Sequence, residues 1–184
     1  VPGIYRKLLR TPLPAMPKLR HGLSAGEKLP EPIRAQWHKA TGTEIHEALG
    51  MTECSTFISG SPDRPAPPDT LGFAQPGRRI AILDEANTPV EDGSIGTLAI
   101  HRDEPGLMLG YLDGDTVDLP LSGAHFLTGD RVARVGDGAI AYHGRIDDVI
   151  TAGGYRIAPQ EIEVAFQSAR GVTEVAALSY PLGD

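Results

Sequence analysis

The spacing of apolar positions changes along the chain, and each change predicts a different kind of element. Residues 1–30 carry short apolar runs cut by prolines, as in TPLPAMP over 11–17, so no sustained helix is expected there. Helical spacing first appears at Ile33, Trp37 and Ala40, directly after LPEP over 29–32. Proline early in a first turn forfeits no hydrogen bond, and Gly42 stands where a C-terminal cap belongs, so a helix running through Lys39 is predicted. A short strand over 44–49, ending at Gly50, follows. SPDRPAPPD over 61–69 holds too much proline for either element and reads as a connector.

From 71 to 142 the pattern is that of short strands. RIAILD (79–84) and GTLAIH (96–101) read as strands on either side of a turn at EANTP, and 131–135 with 139–143 as a hairpin closed by Gly136-Asp137-Gly138. Strands this short and this regularly spaced suggest a small barrel or meander. Past Arg145 the texture changes again. A hairpin around Gly153-Gly154 leads to a helix from Pro159 with Ile162, Ala165 and Phe166 on one face, stopped at Gly171, and then to a strand over 172–180. The predicted fold is mixed α+β. Residues 1–70 form the end of an α/β subdomain, 71–146 a small distorted β-barrel subdomain, and 147–184 a hinge and the start of a small α+β domain.

Composition narrows the partners more than the fold. With 22 glycines and 16 prolines in 184 residues, turns and short strands are favoured over a helical bundle. Seventeen Lys and Arg against 24 Asp and Glu give a net charge of −7, which argues against a nucleic-acid or anionic-membrane partner that needs a basic face. No apolar run approaches the about 20 residues of a membrane helix. Cys54 is the only cysteine, so no internal disulfide can form and a reducing compartment, the cytoplasm, is expected. The six histidines show no metal-ligand spacing. His143 reads as a strand cap, and the acidic run 113–118 as a solvated loop. The opening Val1-Pro2-Gly3 lacks a methionine, as expected of a piece of a longer chain.

Three places gather glycines, hydroxyls and carboxylates. In LGMTE (49–53) the glycine permits close backbone approach, Thr52 offers a hydroxyl, and Glu53 a hard oxygen of the kind Mg²⁺ takes beside phosphates. In LTGD (127–130), ionised Asp130 has acceptors enough for both hydroxyls of a ribose diol. In GRIDDVITAGGYRIAPQEIE (144–163), the Arg145 guanidinium can reach a ribose or phosphate oxygen, Asp147-Asp148 can end a strand or serve as a pivot, and Gly153-Gly154 exposes backbone amides. Each pattern taken alone also describes a strand end, a turn or the charged base of a hairpin. Cys54, Ser55 and Phe57 stand either at the edge of a ligand pocket or in the core.

Together and in order, these motifs resemble the acyl-adenylate-forming ligases: acyl- and aryl-CoA synthetases, luciferases and carrier-loading adenylation domains. The resemblance runs through LSAGEKLP (23–30), WHKATGTEIHEALGMTE (37–53), LGFAQPGRRIAI (71–82), HFLTGD (125–130) and GRIDDVITAGGYRIAPQEIE, most of the chain. It implies that Thr52 bonds the α-phosphate of ATP, that Glu53 binds Mg²⁺, and that Asp130 and Arg145 contact the ribose. It implies that Gly26 and Glu27 pack beside adenine and that Leu49 stands where many relatives carry a stacking aromatic. Asp147 would be the hinge of a mobile small domain, with Gly154 and Arg156 on the CoA side. The implied reaction adenylates a carboxylic acid with ATP and transfers the acyl group to CoA. The run DDVITAGGYRIAPQEIE resembles the medium-chain and benzoate-type CoA ligases more than carrier-loading domains. A domain that loads a carrier protein, and a non-catalytic adenylate-binding relic or interaction module, are the competing readings. The family's phosphate loop would precede Val1 and its adenylating lysine would follow Asp184, so these 184 residues are expected to lack synthetase activity by themselves.

Overall fold

The computed structural model describes residues 1–152, 155–167, 169–172 and 175–180. No sustained helix is expected near the N-terminus; a short one, α1 (Pro2–Leu8), forms there. Pro2 lies in its first turn, where the missing N–H costs nothing, and the next proline is Pro12. Tertiary packing supplies what local propensity lacks. The Tyr5 ring meets Trp37 edge-on at 4.8 Å, and its hydroxyl donates to the Leu23 carbonyl at 2.8 Å.

Strand β1 (Gly22–Ala25), helix α2 (Glu31–Thr41) and strand β2 (Ile45–Met51) form a β–α–β unit, with β1 parallel to β2. The helix ends as its sequence predicts. Gly42 is left-handed at φ 70° and its N–H donates to the His38 carbonyl. Ile33 and Trp37 are buried with Leu29 and Ile45, whereas Ala40 lies exposed. Strand β2 runs through Gly50 to Met51, longer than predicted. Strands β3 (Ser55–Ser59) and β4 (Phe73–Ala74) complete a sheet of order β1-β2-β3-β4.

The second sheet is antiparallel, of order β11-β10-β6-β5. It comprises β5 (Ile80–Leu83), β6 (Ile95–His101), β10 (His125–Val135) and β11 (Ala139–Arg145), with β9 (Leu121–Ser122) beside β10. This is the curled half-barrel of a mixed α+β fold. His143 lies inside β11 rather than capping it, because that strand continues to Arg145. Residues 111–118 form an exposed hairpin, β7 (Tyr111–Asp113) with β8 (Thr116–Asp118), and not a loop. Backbone bonds join the two sheets: Leu71 N–H donates to the Ile140 carbonyl, and Ile140 N–H to that of Gly72. One core therefore holds Phe57 and Ile58 of the first sheet with Ile82, Leu98, Ile100, Phe126, Val132 and Ile140 of the second.

Beyond the bend at 146–149, β12 (Ile150–Ala152) pairs with β13 (Tyr155–Ile157) and helix α3 (Pro159–Gln167) follows. Of its predicted apolar face, Phe166 is 57% exposed and Ala165 is exposed. The strand expected over 172–180 is not formed at 175–180, where no described strand lies alongside to complete a ladder. Instead Ala177 N–H donates to the Glu163 carboxylate at 3.0 Å.

Candidate functional site

The turn between β2 and β3 carries Thr52 and Glu53, and its shape depends on Gly50. A Cβ there would lie 2.8 Å from the Thr56 Cα and 2.9 Å from the Ser55 carbonyl oxygen, so only glycine lets the two strands close this tightly. The register slips between Leu49 and Gly50, which turns the strand end outward. Ser55 stands at φ 58° just past the turn. Together Ala25, Gly26, Gly50, Met51, Thr52, Ser55 and Thr56 line a shallow groove, with Gly26 at φ 89° ending β1. Glu27 is exposed beside it. Leu49 packs against the central core, and Cys54 and Phe57 are buried in it; Ser55 alone of that trio faces the groove.

Strand β10 places the second group. Its pairing shifts on both sides around residues 128–130, and Gly129 takes φ 79°. The bulge re-aims Asp130, which is 3% exposed, toward β11. Its Oδ1 accepts from the Tyr142 hydroxyl at 3.1 Å and lies 3.5 Å from Arg145 Nη1. The Asp130 N–H donates to Thr128 Oγ1 at 3.1 Å. The guanidinium of Arg145 also donates to the Thr128 carbonyl at 3.3 Å and to Asp147 Oδ2 at 3.1 Å. Burial and the Asp130 charge push the Tyr142 phenol far up, so it stays a donor. The bond to Asp147 raises the Arg145 pKa further and keeps it a cation.

Tyr111 stands between the two groups. Its hydroxyl donates to Glu53 Oε1 at 2.9 Å, which raises its pKa, and the Arg145 charge is near enough to oppose that rise. The fold thus gathers Asp130, Arg145 and Asp147 into one hydrogen-bonded cluster and sets Glu53 on the same side through Tyr111. Gly154 lies outside the described residues, and Arg156 is described only as backbone in β13. Tyr111 and Tyr142 were not singled out from sequence. For Tyr142 a signal existed: in the predicted hairpin it falls opposite Val132, diagonal to Asp130 on the same face.

Chemically, a buried carboxylate beside a guanidinium can take a diol, the carboxylate accepting from its hydroxyls and the guanidinium donating to its oxygens. Among the described residues no group of three or more His, Cys, Asp or Glu converges on a metal position. The single Glu53 carboxylate, whose Oε1 accepts from Tyr111, fits an ion held chiefly by phosphate oxygens and water, as Mg²⁺ is.

The pattern of the family described as "AMP-binding enzyme" matches residues 1–112. The mitochondrial acyl-coenzyme A synthetase ACSM3 of Rattus norvegicus is 33% identical over 98% of this chain and 32% of its own length. A benzoate CoA ligase from Burkholderia xenovorans LB400 superposes with a TM-score of 0.77 at 30% identity, covering 99% of this chain and 37% of that one. The anthranilate CoA ligase AuaEII, solved with anthranoyl-AMP, gives 0.71 at 29% identity over 87% of this chain and 31% of its own. The chain spans about a third of the length of the curated relatives it matches, 32% for the rat enzyme.

Proposed function

Because the chain belongs to the family of AMP-binding enzymes, we propose that its residues are part of an AMP-forming ligase that joins a carboxylic acid to CoA. The observation that carries this reading is the buried Asp130 carboxylate, held by Tyr142 and Arg145 where a β-bulge aims it. In this reading Asp130 accepts from the ribose hydroxyls and Arg145 donates to a ribose oxygen. Thr52 donates its hydroxyl to the α-phosphate, and Gly26 and Glu27 border the adenine, with Leu49 behind the groove. The acid's carboxylate attacks the α-phosphorus, pyrophosphate leaves, and the acyl-adenylate is then opened by the CoA thiol with release of AMP. The chain's contribution is positioning and the placement of charge where phosphate charge develops. Mg²⁺, held at Glu53, would neutralise phosphate charge during that displacement.

Asp147 serves as the hinge between the β-rich subdomain over 71–146 and the small domain that begins at 147, with residues 1–70 closing the α/β subdomain. Its exposed side chain rests on Arg145, a single bond that rotation can break. Gly154 and Arg156 would face CoA after that rotation. The acid is of the medium-chain or aryl class; the benzoate and anthranilate CoA ligases among the structural neighbours support the aryl reading. Among the described residues no helix is long and apolar enough to cross a membrane. The free, buried Cys54 suits a reducing compartment such as the cytoplasm.

The test is calorimetry of AMP and ATP binding, with and without Mg²⁺, to the wild type and to Asp130→Ala. Binding that Asp130→Ala abolishes is expected. Equal binding by both proteins would overturn the ribose assignment. Thioester formation assayed with CoA and with a carrier protein then identifies the acceptor, CoA being expected.

A further inference from the structure

The hairpin of β7 and β8 is exposed along both strands, so burial does not explain where Tyr111 sits. Leu112 and Val117 face each other on one side, and Tyr111 pairs with Asp118 one position away, on the opposite side. What holds its hydroxyl is the Glu53 carboxylate, to which it donates at 2.9 Å. The segment leading to it is anchored far more firmly than an exposed hairpin requires. The Glu104 carboxylate is buried and accepts from Arg78 Nη1 at 2.8 Å, from the Arg79 N–H at 2.7 Å and from the Gly106 N–H at 3.2 Å. The second arm of Arg78 donates to the Thr56 carbonyl at 2.8 Å, just past the Thr52–Glu53 turn. Two residues beyond Gly106, the Met108 N–H donates to the Glu53 carbonyl at 2.7 Å.

We propose that Tyr111 is a positioning residue for the Glu53 carboxylate, delivered by a segment that the buried Glu104–Arg78 pair pins to the base of the Thr52–Glu53 turn. This rests on the reading of Glu53 as the magnesium-binding carboxylate. A phenol donating to Oε1 fixes the carboxylate's rotation and leaves Oε2 for a cation, as hydrogen bonds to metal-binding carboxylates commonly do. The ion pair supplies the stiffness. Arg78 holds strand β3 with one arm and Glu104 with the other, so the turn and the segment 104–111 move together.

The test uses the ligase at its full length, with Tyr111→Phe, Glu104→Gln and Arg78→Lys beside the wild type. Mn²⁺ binding in the presence of ATP, followed by electron paramagnetic resonance, reads the site without turnover. Tyr111→Phe is expected to weaken Mn²⁺ binding by about 10-fold and to raise the half-saturating Mg²⁺ for turnover by the same factor. The KM for the carboxylic acid and the melting temperature should stay unchanged. Glu104→Gln and Arg78→Lys should weaken Mn²⁺ binding and also lower the melting temperature; Tyr111→Phe decides the matter if either fails to fold. Unchanged Mn²⁺ affinity in Tyr111→Phe overturns the positioning role and leaves nucleotide binding at Asp130 standing. Absence of ATP-dependent Mn²⁺ binding in the wild type overturns the reading of Glu53, and this inference with it.

Discussion

The Asp130 carboxylate is gripped by a phenol and a guanidinium, and its backbone N–H is bonded to Thr128. Removing the Tyr142 hydroxyl leaves a buried acceptor short of a donor. Tyr142→Phe should therefore lower stability by about 1 kcal/mol in urea unfolding and weaken AMP binding in calorimetry. Glu104 gives a pH-dependent counterpart. Burial alone would raise its pKa, but the Arg79 N–H, the Arg78 guanidinium and the Gly106 N–H bring it below the ordinary 4.5. A carboxyl depressed in the folded state stabilises the fold above its unfolded pKa and loses that contribution as pH falls through the folded value. The melting-temperature gap between wild type and Glu104→Gln should be constant from neutral pH down to about 4.5 and close below it. A gap that widens in acid would show that the pair does not hold Glu104 charged.

Two glycines show how elements end for different reasons. Gly42 stops α2 at φ 70° with open space around its missing side chain, so Gly42→Ala carries only the left-handed backbone penalty, about 1 kcal/mol. Gly50 sits in ordinary strand backbone but against the atoms of Ser55 and Thr56, so Gly50→Ala must push β2 and β3 apart, at about 1–3 kcal/mol. Thermal unfolding should rank Gly50→Ala below Gly42→Ala in stability. Calorimetry should show nucleotide binding impaired by Gly50→Ala alone, because only that change distorts the Thr52–Glu53 turn.

At the level of the whole molecule, the two sheets share one core, since Phe57 and Ile58 of β3 pack with Leu98 and Ile100 of β6. The backbone bonds between 71–72 and Ile140 join their edges as well. Phe57→Ala should cost about 3–5 kcal/mol, and both sheets should then melt in a single, lower transition by circular dichroism. Two separate transitions would mean that the sheets fold as independent units.

Whatever lies within one helical period or one turn can be read along the chain. Ile33, Trp37 and Gly42 specified α2 and its stop, alternation placed β5 and β6, and Gly136-Asp137-Gly138 closed the β10–β11 hairpin. The ordered motifs also carried the family. Strands β1 and β3 went unread because each is short and is made a strand by β2 between them; α1 exists because Tyr5 finds Trp37. The bulge at 128–130 leaves no mark in periodicity, yet it turns Asp130 toward Arg145, 15 positions on but opposite in register. Tyr111 meets Glu53 across 58 positions, and Glu104 meets Arg78 across 26. Partners that far apart are chosen by how sheets curl and stack, and only the tertiary structure could decide them.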